Sequence, residues 1–397
     1  MTTEDALLSC RDRFPILEST NYLISNSLGA MPRDVEQSLA EYARVWASRG
    51  VRAWEETWWT MVADLGDLVA PLIGAGPGEV VFQPTVTLAH AVVFSAFDFR
   101  SGRRRIVTDA MHFPSVLYLL DGLRPEGAEI VVVPSDDGVS VDTGRLIEAI
   151  DETTAFVNVS HVLFKSAYIH DVAAIAARAR EVGALTIIDG YQSVGTIPVD
   201  VDAAGLDVYI GGCLKWLCGG PGAAFLWVRP ELRNRLAPRL TGWMSHARPF
   251  AFETTLDRRP DAWRFLHGTP SIPSLYAARP GLEIIRDIGI NAIRAKSMRQ
   301  TAMLLRLADS LGLNCTTPRD PGRRGGTVAF DTPHGYEVSR TLKSREILCD
   351  FRPGAGVRLS PHFYTRDDDL IEAVHTMASI LEDGSWALHG RSSSPVT

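Results

Sequence analysis

The chain has 397 residues, more than one small core normally organises, so a large domain with a smaller one is expected. The formal net charge of -7 gives no support to nucleic-acid binding. Met1–Cys10 is polar and acidic, unlike a signal peptide, and no apolar stretch approaches the ~20 residues that span a bilayer. We therefore expect a cytoplasmic protein without a nucleic-acid or membrane partner.

Cysteine usage points to a reducing environment. The five cysteines are scattered and include no CxxC pair. This pattern predicts neither a disulfide framework nor a zinc site, and no other metal site is expected.

Short β-rich runs alternate with helical patterns after Asp34–Trp58, which is mostly helical in character. The predicted strands are Glu79–Phe82, Arg105–Thr108, Glu129–Val133, Ala155–Val159, Leu185–Asp189, Val208–Ile210 and Ala223–Val228. The predicted helices are Thr87–Ala96, Pro114–Gly122, Thr143–Ile150 and Asp171–Val182. This alternation predicts an α/β domain with a mostly parallel sheet, in which ligands collect at the carboxyl ends of the strands.

The pattern changes after roughly residue 270. The predicted elements there are the helices Leu275–Ile288, Ala292–Leu311 and Asp368–Leu381 and the strands Gly326–Phe330 and Val357–Ser360. We expect an N-terminal segment over residues 1–20, a large domain over 21–270 and a smaller α+β domain over 271–390. The Ser/Pro-rich residues 391–397 are predicted to be a disordered tail.

A strand-ending aspartate and a lysine in a glycine-rich turn are the most informative pair in the sequence. Asp189 ends the predicted strand Leu185–Asp189, and Lys215 lies in Asp207–Ala223, which reads DVYIGGCLKWLCGGPGA. Such a pair suits pyridoxal phosphate (PLP), whose pyridine nitrogen an aspartate keeps protonated and whose aldehyde a lysine binds. Alone, each residue has a structural explanation, as a capping aspartate or a surface lysine; together they favour catalysis.

Four further positions suit the same cofactor and an amino-acid substrate. Pro84–Thr87 lies between a strand and a helix and offers hydroxyls and N–H groups to a phosphate. Phe113 suits stacking on the pyridine, and Gln192 suits a hydrogen bond to the cofactor's phenolic oxygen. Arg358 suits a carboxylate clamp, for which Arg352 is a weaker candidate. The alternatives are a helix cap, core packing, a solvated amide and surface ion pairs.

Together these features resemble the class V aminotransferase superfamily, fold type I of the PLP enzymes, and within it the kynureninases. The resemblance runs from about Tyr22 to Leu381. The stretches that carry it are SNSLG (Ser25–Gly29), FPS (Phe113–Ser115), SHVLFK (Ser160–Lys165), GW (Gly242–Trp243), RFLHGTP (Arg264–Pro270) and DFRP (Asp350–Pro353). It implies a seven-stranded type of sheet and a homodimer.

The resemblance also implies roles for individual residues. Lys215 and Asp189 would be catalytic. Arg358 would bind the substrate carboxylate, and Asn26 would be a substrate-binding residue nearby. The cofactor would be bound by Thr85, Val86, Phe113, Ser115, Asp189, Gln192, Lys215, Trp243 and Thr269. Of these, Trp243 and Thr269 would complete the phosphate pocket of the partner subunit.

Three departures from the kynureninase pattern bear on the substrate. Leu214 stands where that family has a tyrosine before its lysine, and Val116 stands where it has an aspartate. Trp46–Trp59 contains no histidine to meet the aromatic ring of kynurenine. These changes predict the same cofactor chemistry with a different substrate or proton relay, for which Tyr191 or His112 is a candidate. We therefore expect weak or no hydrolysis of L-kynurenine.

The sequence predicts a PLP-dependent enzyme that cleaves a side-chain bond of an L-amino acid, by C–C hydrolysis or C–S β-elimination. One alternative is a class V aminotransferase or oxidative deaminase, and another is a catalytically silent binding protein. A cysteine-based sulfur transferase is disfavoured, because Cys213 and Cys218 flank the lysine closely and are expected to be small buried hydrophobes.

Overall fold

The computed structural model describes residues 5–388, so the predicted tail over residues 391–397 lies outside the described residues. The strands are β1 (Asn21–Tyr22), β2 (Val80–Gln83), β3 (Arg105–Asp109), β4 (Glu129–Val133), β5 (Thr154–Ser160), β6 (Leu185–Asp189), β7 (Val208–Gly212), β8 (Ala224–Val228), β9 (Asn314–Cys315), β10 (Val328–Asp331), β11 (Ile347–Leu348), β12 (Asp350–Arg352) and β13 (Gly356–Leu359).

The α-helices surround two sheets. They are α1 (Asp34–Arg49), α2 (Met61–Ile73), α3 (Val86–Phe94), α4 (Pro114–Asp121), α5 (Thr143–Ala149), α6 (Val172–Val182), α7 (Pro230–Arg233), α8 (Ile272–Ile288), α9 (Ile290–Ser310), α10 (Gly335–Ser344) and α11 (Asp367–Asp383). Among residues 5–388, none of the helices has the length and apolar character required to cross a membrane.

The larger sheet has seven strands in the order β2-β8-β7-β6-β5-β3-β4. The neighbours from β7 to β4 are parallel, which confirms the predicted mostly parallel sheet. Strand β8 runs antiparallel to both β7 and β2. The segment between β7 and β8 contains the lysine turn and is too short for the helical crossover that parallel strands require.

The predicted helical span Asp34–Trp58 is interrupted. Helix α1 ends at Gly50, which has a φ of 56°, a conformation that glycine adopts without steric cost. A short π-helical turn follows at Trp54–Trp58, and α2 begins at Met61. The tryptophan-rich stretch is therefore a separate turn rather than the end of one long helix.

The smaller sheet has four strands in the order β12-β13-β10-β9, all antiparallel. Its face packs with α9, α10 and α11 in a separate apolar cluster that includes Leu304, Phe330 and Val374. Strand β1 from the start of the chain pairs in parallel with β11, and Leu23 belongs to this same cluster. Both chain ends therefore contribute to the smaller unit.

Candidate active site

A cavity of about 220 Å³ lies at the carboxyl end of the larger sheet. The starts of α3 and α4, the end of β6 and the turn between β7 and β8 surround it. Its lining residues are Pro84, Thr85, Val86, Thr87, Phe113, Ser115, Val116, Asp189, Tyr191, Leu214, Pro221, Gly222, Ala223 and Ala224. This location agrees with the expectation that a ligand binds where parallel strands end.

Asp189 is held rigidly at the end of β6. Its side chain is buried, and Oδ1 accepts a hydrogen bond from the Tyr191 backbone N–H at 2.8 Å. Its carbonyl accepts from the N–H of His161 at 2.8 Å. The pairing of β6 with strands on both sides fixes the backbone below the carboxylate, so the charge has a defined position in the cavity wall.

Two fully buried histidines lie beside Asp189, with ring nitrogens and a carboxylate oxygen within 4.8 Å of one another. The Nδ1 of His112 accepts from the Phe113 N–H at 2.7 Å, so we assign its proton to Nε2. The Nδ1 of His90 lies 2.9 Å from the Val86 carbonyl and therefore carries the proton, which leaves Nε2 as an acceptor. Burial lowers the pKa of His90 to about 4. The pair forms a neutral polar layer next to the carboxylate.

Lys215 is buried, with 8% of its surface exposed. Its Nζ lies 4.4 Å from the ring centroid of Tyr191 and 5.7 Å from that of Phe113. Burial and the positive charge of Arg358 lower the pKa of Lys215 to about 7. Near neutral pH much of this amine is therefore unprotonated, as attack on an aldehyde requires.

The SNSLG stretch packs directly against the lysine turn. The Gly29 N–H donates to the Leu214 carbonyl at 2.9 Å, and a Cβ added at Gly29 would lie 2.1 Å from the Lys215 carbonyl oxygen. Glycine is thus required for this close approach. Cys213 and Cys218 are buried beside the lysine, and burial raises the pKa of Cys218 to about 12, as expected of small hydrophobes rather than thiolates.

The opposite end of the cavity is rich in hydrogen-bond donors. Thr85 caps α3, where its Oγ1 accepts from the Leu88 N–H at 3.1 Å. The first N–H groups of a helix lack intrahelical acceptors and favour an anion. Val86, Thr87 and Ser115 line the same end. Pro84–Thr87 thus line the cavity, and phosphate binding by this segment stays a prediction.

Arg358 is buried in an ion pair rather than free. Its Nε donates to Asp350 Oδ1 at 2.8 Å, its Nη2 to Asp350 Oδ2 at 2.5 Å, and its Nη1 to the Phe164 carbonyl. Burial raises the pKa of Asp350, but Arg358 and Arg352 outweigh it and the net pKa is lowered. These contacts use three of the five guanidinium N–H groups, and Arg358 lies outside the lining of the cavity, so its binding of a substrate carboxylate stays a prediction.

Gln192 links two neighbouring segments of the site through its side-chain amide. Its Nε2 donates to the Asn26 carbonyl at 2.9 Å, and its Oε1 accepts from the Trp216 indole at 2.8 Å. One amide N–H of Gln192 remains for a ligand, so its contact with a phenolic oxygen stays a prediction. Asn26 is buried near Asp350, whose pKa it helps to lower, and its Oδ1 has no hydrogen-bond partner within residues 5–388.

Trp243 and Thr269 lie outside the lining of this cavity. Thr269 is exposed, and Trp243 packs with Trp59, Phe250 and Phe252. Residues that serve a partner subunit would be found away from the cavity of their own chain, so their predicted role in a dimer stays a prediction.

The donor set fits PLP. A buried carboxylate at one end suits the pyridine nitrogen, and hydroxyls with helix N-termini at the other suit the phosphate. Phe113 provides an aromatic wall, 40% exposed, and the Lys215 amine lies within reach of that ring.

The whole chain matches proteins of one family. The sequence model described as aminotransferase class-V matches residues 21–355. The kynureninase of Pseudomonas fluorescens is 35% identical over 403 residues, covering 98% of this chain and 95% of the relative. This chain belongs to the class V aminotransferase family. The kynureninase of Burkholderia pseudomallei (strain 1106a) is 33% identical over 398 residues, covering 96% of this chain and 94% of the relative.

Solved structures support the class V fold, which is PLP fold type I. The apo cysteine desulfurase from Thermococcus onnurineus NA1 has a TM-score of 0.84 at 21% identity, covering 96% of this chain and 100% of that one. The cystine C–S lyase C-DES has a TM-score of 0.84 at 19% identity, covering 92% and 99%. At these identities the likeness concerns the fold. Family membership makes this class V chain a PLP-dependent enzyme.

Sequence reasoning missed two contributors to this class V site. His90 lies one helical turn from Val86, without a distinctive signal of its own. Asp350 pairs directly opposite Arg358 in the register of β12 and β13. The Pro353–Gly354 dipeptide between them is a turn signal, and a hairpin centred on it would have placed the two charges face to face.

Proposed function

We propose that this enzyme hydrolyses the Cβ–Cγ bond of an L-amino acid that carries a carbonyl at Cγ, the kynurenine class of substrate. The observation that carries the proposal is the buried amine of Lys215, with a pKa lowered to about 7. It lies next to the rings of Tyr191 and Phe113, which line the same cavity as Asp189. Identity of 33–35% to kynureninases over nearly the whole chain supports this reaction type. When bound, PLP supplies an electron sink for charge that develops on the substrate's α-carbon.

Lys215 is proposed to hold the cofactor's aldehyde and then to accept the proton from the substrate Cα. Its pKa of about 7 matches this role, because a general base works best when its pKa lies near the working pH. Asp189, fixed at the end of β6, is proposed to keep the pyridine nitrogen protonated. The neutral layer of His90 and His112 places no competing positive charge beside it.

The remaining cofactor contacts follow from the two ends of the cavity. Thr85, Val86 and Ser115 are proposed to bind the phosphate, and Phe113 to stack on the pyridine. Gln192 is proposed to approach the phenolic oxygen.

Arg358 is proposed to bind the substrate carboxylate with the two N–H groups that Asp350 and Phe164 leave available. Asn26 is proposed to assist, since its side-chain Nδ2 and Oδ1 are both buried without a hydrogen-bond partner among the described residues. An amide N–H can donate to a carboxylate.

We propose a homodimer in the cytoplasm as the working form, with Trp243 and Thr269 completing the partner's phosphate pocket. Phe250 and Phe252, 62% and 75% exposed beside Trp243, form an apolar surface that suits burial against a second copy. The five cysteines are free, which agrees with a reducing compartment.

C–S β-elimination is a second candidate. Leu214 lines the cavity beside the lysine and cannot give a proton to a carbon leaving group. A thiolate leaves a β-carbon without such a proton, so an eliminating enzyme would tolerate leucine there.

The products distinguish these reactions. PLP-loaded protein would be incubated with L-kynurenine, with β-benzoyl-L-alanine, and with S-aryl cysteine conjugates. C–C hydrolysis yields alanine with anthranilate or benzoate, whereas elimination yields pyruvate and a thiol. Accumulation of pyridoxamine phosphate would contradict both and favour transamination. Lys215→Ala is the matched inactive control.

A further inference from the structure

Tyr191 has a fixed position in the cavity wall, two residues after Asp189. Its backbone N–H is bonded to Asp189, and its ring centroid lies 4.4 Å from the Nζ of Lys215. The ring also packs over Gly212, where an added Cβ would lie 2.4 Å from ring atom Cε2. The phenol is therefore held next to the two residues proposed to carry the chemistry.

The hydroxyl of Tyr191 is free for a ligand. It makes no hydrogen bond within residues 5–388, although its residue lines the cavity. The fully buried phenols of Tyr209 and Tyr364 differ from it: the first bonds His161 and Ser193, and the second bonds Ser25. Tyr191 is half-buried and its hydroxyl keeps access to the cavity, so it is available to a ligand there.

The same cavity lacks the phenol that the kynureninase resemblance predicts. Leu214 lines it at the position before Lys215, and its side chain cannot exchange a proton. Among the residues that the structure describes, Tyr191 is the one tyrosine that lines this cavity. The phenol in the cavity lining is thus at position 191 rather than at position 214.

We propose that the Tyr191 hydroxyl is the proton relay of the side-chain cleavage, in place of a tyrosine at position 214. The inference rests on the proposed hydrolysis. As the Cβ–Cγ bond breaks, its electron pair stays on Cβ, and Tyr191 gives its proton to that carbon. Water places its oxygen on Cγ and returns a proton to the tyrosinate, while Lys215 returns the α-proton to Cα.

The environment of Tyr191 suits an acid. Burial raises the pKa of its phenol, with further contributions from Cys213 and Asp189, so the hydroxyl carries its proton at neutral pH. An unassisted carbon would have to take its proton from water, and a positioned acid typically accelerates such a step by about 10²–10⁴-fold.

The test is Tyr191→Phe, which removes one oxygen and keeps the ring beside Lys215. Cleavage of β-benzoyl-L-alanine, followed as benzoate release, should fall by about 10²–10⁴-fold. Exchange of the α-hydrogen of L-alanine in deuterium oxide needs Lys215 alone and should stay within about threefold. The dissociation constant of PLP for the apoenzyme, measured by fluorescence quenching, should also change by less than about threefold.

A second variant tests whether a phenol at position 214 can restore cleavage. Tyr191→Phe with Leu214→Tyr should recover cleavage by at least about tenfold over Tyr191→Phe alone. Tyr118→Phe, on a side chain that is 74% exposed, is the matched control and should behave as wild type.

The outcomes separate the two proposals. Wild-type protein that binds PLP and exchanges α-hydrogen but cleaves no γ-carbonyl probe overturns the proposed function and this relay with it. An active wild type with an equally active Tyr191→Phe overturns the relay alone. A large loss of PLP affinity in Tyr191→Phe would make the hydroxyl a cofactor ligand and also overturn the relay.

Discussion

The acidity of Lys215 in the apoenzyme is open to direct measurement. With a pKa of about 7, roughly three quarters of the amine is neutral at pH 7.5. At the ordinary lysine value of 10.5, about 0.1% would be neutral. Lys215 should therefore react several hundred times faster with an amine reagent than an unperturbed lysine of equal access.

Arg358→Met is the informative perturbation. The positive charge of Arg358 lowers the pKa of Lys215, and the carboxylate of Asp350, left with Arg352 as its ion-pair partner, would raise it. The variant's pKa should therefore rise by about one unit. A one-unit rise reduces the neutral fraction about threefold at pH 7.5 and about tenfold at pH 6. Because the pKa of Lys215 rises, the pH at which its amine becomes reactive should also rise.

The pKa of Lys215 in wild type and variant can be measured by reductive methylation of the apoenzyme over a range of pH. Peptide mass spectrometry then gives the extent of methylation at each lysine. The chain has four lysines. Burial also lowers the pKa of Lys296 and Lys343, so Lys165 serves as the internal comparator. The double variant Arg358→Met with Asp350→Asn removes both charges and should return the profile towards wild type. A Lys215 that titrates near 10.5 in the wild type would refute the reasoning.

Further predictions concern the cofactor, the assembly and the substrate. Borohydride reduction of the yellow protein should fix PLP on Lys215; modification of another lysine would refute the site. Asp189→Asn should slow turnover far more than it weakens PLP binding, because the phosphate contacts remain, and parallel measurement of kcat and the PLP dissociation constant decides. Sedimentation should give a homodimer, and an active PLP-loaded monomer would contradict the role of Thr269. Because Trp46–Trp59 offers no histidine to the anthraniloyl ring, L-kynurenine should be a poorer substrate than β-benzoyl-L-alanine; a kcat/KM of ~10⁴ M⁻¹s⁻¹ or more for L-kynurenine would contradict this.

The larger sheet could be predicted because its signals are local. Each buried strand, such as Leu185–Asp189, is a short apolar run, and its neighbours in the chain are helices with clear periodicity. The direction of β8 was not predicted, since an apolar run has the same composition in either orientation. Helix α10 was also missed, because it follows His334, a non-glycine residue with a φ of 56°, without a typical cap.

The part of the site that could be predicted consists of residues whose type and position at a strand end point to a function. Asp189 and Lys215 were found by their positions next to apolar runs. The structure places Asp189 in the cavity wall and the Lys215 amine next to two rings of that wall. The ion pair of Arg358 with Asp350 was not predictable in the same way, because it depends on the register of β12 and β13. The lowered pKa of Lys215 likewise depends on burial, which one sequence does not specify.

The pairing of β1 with β11 has a consequence for how the chain is made. Asn21 lies opposite Ile347, so the strand that leaves the ribosome early finds its partner only near the end of synthesis. Until then β1 has no strand to pair with, and Leu23 lacks the cluster members that come later in the chain, such as Leu359 and Val374. A nascent chain halted before residue 347 should therefore expose its N-terminal segment to proteases, whereas the released protein should protect it.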